Sequence, residues 1–287
     1  MNYPALIQNR RSVRAFSEKK IPLHLVDEIR DYYRAVERLL PDLETELHLY
    51  AEDVKAALEG AAGYHQFLVG APHYLVLLSD DHPHAQLNAG YVMQDMILKL
   101  TDMGLDTCWV TFTDSRQIKD ALGIESDREV MAIAAFGYGA KTTKRLRLNI
   151  HSMSNIDISA KRHYFEPKRS VSDMVFLNTW GNIHKLDDHI GFFDDMLWES
   201  FYAASLSPSY LNRQAYGFVI HDGAISLVRR PDVYTTEADG NLSLGIVLLH
   251  FTKVAENWAG QLHWRLGDYA AQLPLPEGHK VIATCIL

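Results

Sequence analysis

The chain has 287 residues, with 28 Lys and Arg against 36 Asp and Glu, for a formal net charge of -8. Its hydrophobic share of 47% lies in the globular range, which excludes a long disordered or collagen-like chain and leaves enough buried surface for one large core or two ordinary ones. The acidic balance excludes a general nucleic-acid binder, and two cysteines, Cys108 and Cys285, are too few for a disulfide framework or a cysteine metal cluster.

The opening MNYPALIQNRRSVR lacks the apolar core of a secretory signal. No apolar run approaches the ~20 residues a membrane helix requires. The expectation is a cytoplasmic protein with a small-molecule ligand and no membrane partner. Residues 22–40 have helical spacing and end at Pro41. A second helix begins at 53–58, and Gly60 and Gly63 bring it to a close. Residues 72–79, PHYLVLLS, read as a strand buried on both faces. Residues 86–103 form a long amphipathic helix capped by Gly104. A strand at 107–112, a short helix at 114–122 started by an Asp cap, and an apolar strand at 129–137 follow. This rhythm indicates α+β or α/β.

After Arg147 the composition turns polar and mixed, SMSNIDISAKRH, and reads as a connector. The pattern then returns. Arg10-Arg11-Ser12-Val13 recurs as Lys168-Arg169-Ser170-Val171, an offset of 158 residues (168 − 10). A helix is expected at 192–204, strands at 217–220 and 225–228, a long helix at 242–257, and a last strand at 281–286. The long helix ends near Gly260 and is followed by Trp264, as Gly104 is followed by Trp109, an offset of 155 residues (264 − 109). The chain reads as two diverged copies of one unit, 1–150 and 165–287, intertwined as one globule; the alternative is that any two α/β halves share such patterns.

The densest chemical signal is Asn9-Arg10-Arg11-Ser12-Val13-Arg14-Ala15-Phe16. Guanidinium forks match phosphate oxygens and an interposed hydroxyl adds a neutral donor, so the segment suits a phosphate. A solvated basic terminus is the plainer reading of the same residues. A second basic run, Lys141 to Arg147, follows the strand ending in Gly137-Tyr138-Gly139. Two basic clusters at strand ends of an acidic chain fit a small anionic ligand better than a polymer. Ser207-Pro208-Ser209-Tyr210-Leu211-Asn212-Arg213-Gln214 lies between a helix and a strand. It is either an ordinary connecting loop or one that offers hydroxyl, amide and backbone groups to a ligand.

Together these segments resemble the nitroreductase family of FMN-dependent oxidoreductases. Arg10-Arg11-Ser12-x-Arg14-x-Phe16 is similar to its opening signature, and Ser207-Pro208-Ser209-x-x-Asn212-x-Gln214 to its Ala-Pro-Ser-x-x-Asn-x-Gln-Pro loop. Gly104-Leu105-x-Thr107-Cys108-Trp109 resembles the stretch after its central helix. Phe136-Gly137-Tyr138 with Lys144 and Arg145 resembles its final strand end and basic residues. The family's subunits form an intertwined dimer in which one supplies the arginines and its partner the Pro-Ser-Asn loop. Here the two segments lie in different copies, which implies a tandem nitroreductase whose single chain mimics the dimer, a monomer in solution. The second copy carries Ser172 in place of Arg14, and residues 39–51 of the first show no Pro-Ser-x-x-Asn. The resemblance therefore implies an α+β fold built twice, with one competent FMN site and one eroded site.

It also implies roles. Arg10, Arg11, Ser12, Lys144 and Arg145 would hold the FMN phosphate, and Arg14 would face the pyrimidine edge, where a cation favours the reduced flavin. The Thr111–Phe112 backbone would lie near N5, while Pro208, Ser209, Leu211 and Asn212 would cover the other part of the ring. The activity implied is reduction of a nitroaromatic or quinone by NAD(P)H through flavin N5, with flavin storage or sensing without turnover as the alternative. No catalytic side chain and no metal are needed. The remaining features are read as structural: His82, His84 and the other histidines as surface or core residues, Cys108 as a small core residue, and the paired carboxylates as turns or helix starts. No G-x-G-x-x-G or G-x-x-x-x-G-K-[ST] occurs, so the nicotinamide donor would bind transiently.

Overall fold

Helix α1 (Tyr3–Asn9) starts at Asn2, whose side chain accepts from the Ala5 amide at 3.2 Å. The first half continues with α2 (Leu23–Ala35), β1 (Thr45–Tyr50), α3 (Val54–Leu58), β2 (His73–Ser79), α4 (Ala85–Asp102), β3 (Asp106–Val110), α5 (Ser115–Leu122) and β4 (Glu129–Gly137). A hairpin of β5 (Arg145–Ser152) and β6 (Asn155–Lys161) and a short β7 (Val175–Leu177) lead into the second half. There α6 (Asp195–Ser205), β8 (Tyr216–His221), β9 (Ala224–Arg229), α7 (Glu237–Ala259), β10 (Arg265–Leu266) and β11 (Lys280–Ile286) follow. The computed structural model describes the chain apart from residues 52–53, 66, 141–144, 153–154, 162–166, 183–194, 268–272 and 287, and only the backbone of 145–152 and 155–161.

The two halves build the same sheet. In the first the strand order is β1-β2-β4-β3, and in the second β8-β9-β11-β10, with every one of these neighbours antiparallel. The second sheet gains a fifth strand at its edge, β7, which pairs parallel with β8. The sheets are built on buried strands: all seven residues of β2 are buried, as the unbroken apolar run requires. The fold is thus α+β, with one unit present twice.

Local chemistry accounts for the ends of the elements. Gly104 (φ 76) closes α4, with its N–H donating to Thr101 O and the Leu105 N–H to Leu100 O, while Leu105 and Leu100 pack in the same core. Asp114 caps α5 through the Arg116 N–H, and Gly123 (φ 64) ends it. Thr236 caps α7 by accepting from the Asp239 N–H at 3.1 Å.

Three expectations are corrected. The helix expected over 22–40 stops at Ala35; Val36 turns extended and is buried, and the Leu40 amide is taken by Asn88 Oδ1 at 3.0 Å, so the later apolar residues serve a docked loop. Strand β1 was absent from the sequence reading although Leu47 and Leu49 alternate with polar residues, because it is a half-buried edge strand. The polar connector after Arg147 contains the β5–β6 hairpin, whose alternation Leu146, Leu148, Ile150 and Ile156, Ile158 is masked by its polar partners.

The halves meet through α4 and α7, whose inward residues are almost all buried. A Cβ built on Gly90 would lie 2.1 Å from Leu242 O, and one built on Gly245 would lie 2.0 Å from Leu87 O. These two contacts are mates: 245 − 90 and 242 − 87 are both 155, the reciprocal pattern of a two-fold interface. One core joins Ile7, Leu87, Tyr91 and Leu98 of the first half to residues of α6, α7, β8, β9 and β11. Close to the same axis, buried Asp95 accepts from the Tyr3 hydroxyl at 3.0 Å and the Tyr32 hydroxyl at 3.1 Å. Lys253 of α7 is ion-paired with Glu37 and Glu256 beside it.

Gly90→Ala and Gly245→Ala should each lower the unfolding free energy by about 1–3 kcal/mol, because a backbone carbonyl cannot retreat from the new methyl without parting the helices. Urea denaturation at neutral pH reads this. A Gly90→Ala variant as stable as the parent would show that the helices separate freely.

Candidate functional site

The arginine segment is laid along the free edge of the first sheet. Ser12 forms a parallel bridge with Thr107 of β3, and the Val13 N–H donates to Thr107 O at 2.9 Å. Farther on, Phe16 bridges Gly139, Ala140 N–H donates to Ala15 O, and Ser17 N–H donates to Tyr138 O. The segment therefore runs between β3 and the end of β4. Cys108 shows how near the arginines come: burial pushes its thiol pKa up, and the Arg14 and Arg10 charges pull it back. Cys108 is itself buried in the core.

Arg10 is the unusual member. Its Nε is buried without a hydrogen-bond partner, and its Nη1 reaches the Ser12 hydroxyl only at 3.4 Å. Burial brings its guanidinium down to about 10, opposed by Cys108 and assisted by the Arg11 charge. Arg11 instead spends an Nη on the Gln8 and Arg10 carbonyls, at 2.5 and 2.8 Å. Ser12 and Arg14 are exposed. A partly buried guanidinium whose buried Nε–H is unsatisfied fits an anion supplied from outside the chain. That is what the phosphate of FMN would provide.

Beyond β3, Thr111 O accepts from the Gly63 N–H at 2.7 Å, and Phe112 bridges Ala62. The loop before β2 thus borders Thr111 and Phe112. From the second half, Tyr210 comes near this loop: burial raises its pKa, then the Asp239 charge, and last Tyr64 on the loop. Lys144 lies outside the described residues, and Arg145 is described by its backbone in β5 alone.

The 207–214 loop is built by its own side chains. Gln214 N–H donates to Ser209 Oγ at 3.0 Å, Gln214 Nε2 donates to Ser205 O at 2.8 Å, and its Oε1 accepts from the Arg169 N–H at 2.8 Å. Tyr210 N–H donates to Ser243 Oγ at 3.2 Å, Ser243 lying 155 residues (243 − 88) after Asn88, which takes the Leu40 amide in the first half. Leu211, Asn212 and Gln214 take φ values of 47, 55 and 47, left-handed conformations on either side of right-handed Arg213 that L side chains seldom adopt and that the hydrogen bonds must hold. Leu211 is half exposed, while Pro208 and Ser209 are partly buried. The Asn212 amide is engaged at both ends: Oδ1 accepts from Lys168 Nζ at 2.6 Å and Nδ2 donates to Pro167 O at 2.9 Å.

Behind the loop lies His250, which the sequence reads as one of the surface or core histidines. It is fully buried on α7, bonded to Ser207 Oγ at 3.0 Å, Ala203 O at 3.2 Å and Gln94 Nε2 at 2.9 Å. Burial, and then the charge of Arg10, push its pKa down to about 3, with Lys168 adding to the effect and the Ala203 carbonyl opposing it. The imidazole thus feels both arginine-segment and loop-side cations. The signal for it in the sequence is a lone polar residue within the apolar run LLHF.

The segment 168–172, which the sequence matches to the arginine segment, packs on the 207–214 loop through the Arg169 N–H to Gln214 Oε1 and Lys168 Nζ to Asn212 Oδ1. Ser170 Oγ donates to Asp173 Oδ2 at 2.7 Å and lies 3.0 Å from Ser172 Oγ, while Arg230 donates to Asp173 O at 2.9 Å and keeps a buried Nε with no hydrogen-bond partner. The Ser170 hydroxyl, which could meet a phosphate, is already given to a carboxylate.

Because His250 is neutral in the fold and protonates readily once unfolded, the unfolded state binds more protons between its ordinary value of 6.5 and about 3. Stability should therefore fall as pH drops through that window, with a slope approaching about 1.4 kcal/mol per pH unit from this group. Urea unfolding at pH 7 and pH 5 of the parent and of His250→Phe checks it; equal losses in the two proteins would remove His250 as the cause.

Comparison with known proteins follows the same lines. The family model described as "Putative TM nitroreductase" matches residues 3–174, more than half of the chain. A structure from Thermotoga maritima described as a "putative nitroreductase" is 19% identical, with a TM-score of 0.60, covering 100% of this chain and 94% of that one, which shows the fold. A nitroreductase family protein of Clostridium difficile is 20% identical over 50% of this chain and 87% of its own, with a TM-score of 0.41. A second Clostridium difficile protein, described as an FMN-dependent nitroreductase, is 18% identical over 48% and 88%, with a TM-score of 0.40. No curated protein matches. No helix among the described residues is long and apolar enough to cross a membrane, and none of their His, Cys, Asp and Glu side chains group as a metal site. On the match over residues 3–174 and the doubled sheet, the chain belongs to the TM nitroreductase family.

Proposed function

We propose that the chain binds one FMN between the Arg10–Arg14 segment of the first half and the 207–212 loop of the second, and reduces a small oxidised compound with NAD(P)H. The observation that carries this reading is the buried Arg10 Nε with no hydrogen-bond partner, set among Arg11, Ser12 and Arg14 on the β3 edge. When bound, FMN would supply hydride transfer at N5, so the chain need only bind and orient.

Arg10 and Ser12 would hold the phosphate, with Lys144 and Arg145 as the further cations that the resemblance assigns to it. Arg14 would set a positive charge beside the pyrimidine edge, where charge develops on reduction. Pro208, Ser209 and the half-exposed Leu211 would shield the ring from water, and Asn212 would act through Lys168 by keeping the loop in its left-handed course. Nitroaromatics and quinones are the acceptor class, being flat and able to stack where the nicotinamide has left. The two fused halves already bury the α4–α7 contact, so the protein is a monomer in this reading, and light scattering measures it.

Purified protein should be yellow, or become so on adding FMN, with a titration endpoint of one FMN per chain. Arg10→Ala removes a charge-assisted contact of about 1.5–3 kcal/mol and should weaken FMN roughly ten- to a hundredfold. Arg169→Ala should leave the affinity unchanged, because only its backbone N–H meets the loop in the bonds described above. Asn212→Ala should weaken binding by roughly fivefold, through loosening of the loop. Two equivalent FMN per chain, or equal damage from Arg169→Ala and Arg10→Ala, would refute the single split site. Steady-state oxidation of NAD(P)H with a quinone or nitroaromatic acceptor separates turnover from mere flavin storage.

A further inference from the structure

Three buried polar side chains cross the junction of the halves in a single line. The Trp109 indole Nε1 donates to Gln94 Oε1 at 3.1 Å, Gln94 Nε2 lies 2.9 Å from His250 Nε2, and His250 Nδ1 lies 3.0 Å from Ser207 Oγ and 3.2 Å from Ala203 O. Gln94, His250 and Ser207 are each fully buried. The directions of these bonds follow from what each group can do. An indole N–H only donates, so Gln94 must present its oxygen to Trp109 and its amide N–H to His250. His250 Nε2 must then accept, which leaves the proton on Nδ1, aimed at the Ala203 carbonyl and the Ser207 hydroxyl. A second proton on the imidazole would face the Gln94 amide N–H, so the line holds only with neutral His250. The depressed pKa of His250 agrees with this.

The ends of the line are placed where the site needs them. Trp109 lies on β3, two residues before Thr111, and Ser207 immediately precedes Pro208 and Ser209. We propose that His250 and Gln94 are positioning residues that fix the 207–212 loop of the second half at a set distance from the Trp109 strand of the first. The inference rests on the reading of this junction as a flavin site. Neither side chain touches the ligand; they set the gap into which the ring fits.

The test is titration of the full chain and its variants with FMN and with riboflavin, which lacks the phosphate. His250→Phe and Gln94→Leu should each weaken FMN and riboflavin by the same factor, roughly five- to tenfold for a lost neutral hydrogen bond, and shift the bound flavin's absorption maximum. Arg10→Ala should weaken FMN selectively. Each single variant leaves a buried polar partner unsatisfied, so the double variant His250→Phe/Gln94→Leu should recover stability toward the parent without recovering flavin affinity. Affinity that returns along with stability would mean that the line serves packing alone, and overturns the proposal. So would single variants that bind both flavins as the parent does. A parent protein that takes up neither flavin overturns the site reading and this proposal together.

Discussion

The structure depends on one close approach, the crossing of α4 and α7 at which Gly90 meets the Leu242 carbonyl and Gly245 meets the Leu87 carbonyl. Absence of a side chain at these two points lets the helix backbones touch. That contact fixes the relation of the two sheets, and with it the meeting of segments about 200 residues apart in the sequence, a separation at which chain connectivity alone orients nothing. Gln94 and His250 lie about one turn beyond the glycines on the same two helices, so the polar line across the junction inherits its geometry from the crossing.

The proposed site divides its chemistry between the halves. The first half brings charge: Arg10, partly buried with an unpartnered Nε, and Arg14, exposed on the same segment. The second half brings shape: a loop with three left-handed residues, held by Gln214 and by the Lys168–Asn212 contact. Between them sits an imidazole that stays neutral, because it is fully buried and because a further positive charge would oppose Arg10 and Lys168. A cation-rich site is thereby backed by an uncharged interior.

Much of this was legible in the sequence where a local rule acts. The apolar run of β2, the Gly104 and Asp114 signals and the offset of 155 residues are each found in place. What escaped depends on distant partners. Residues 36–40 continue a helical pattern, yet Asn88, far along the chain, takes the Leu40 amide and settles the loop. Strand β1 and the β5–β6 hairpin alternate apolar with polar residues, but each strand holds only two or three large aliphatic residues among polar and charged ones. The Asn212 side chain read as a ligand contact and is instead occupied by Lys168 and Pro167, and the partner is invisible until the fold brings it near. His250 shows the same limit: its type was visible and its neighbours were not.

The two-fold relation has a consequence for how such an interface can change. Asp95 and His250 are mates across it, 155 residues apart, yet one is a carboxylate held by two tyrosine hydroxyls and the other an imidazole held by an amide and a serine. In an assembly of two identical subunits, a single codon dictates both positions, so whatever suits one side is imposed on the other. Joining the subunits in one polypeptide separates the two codons. Each side of the axis can then be tuned alone, and loss of binding residues on one side need not damage the other.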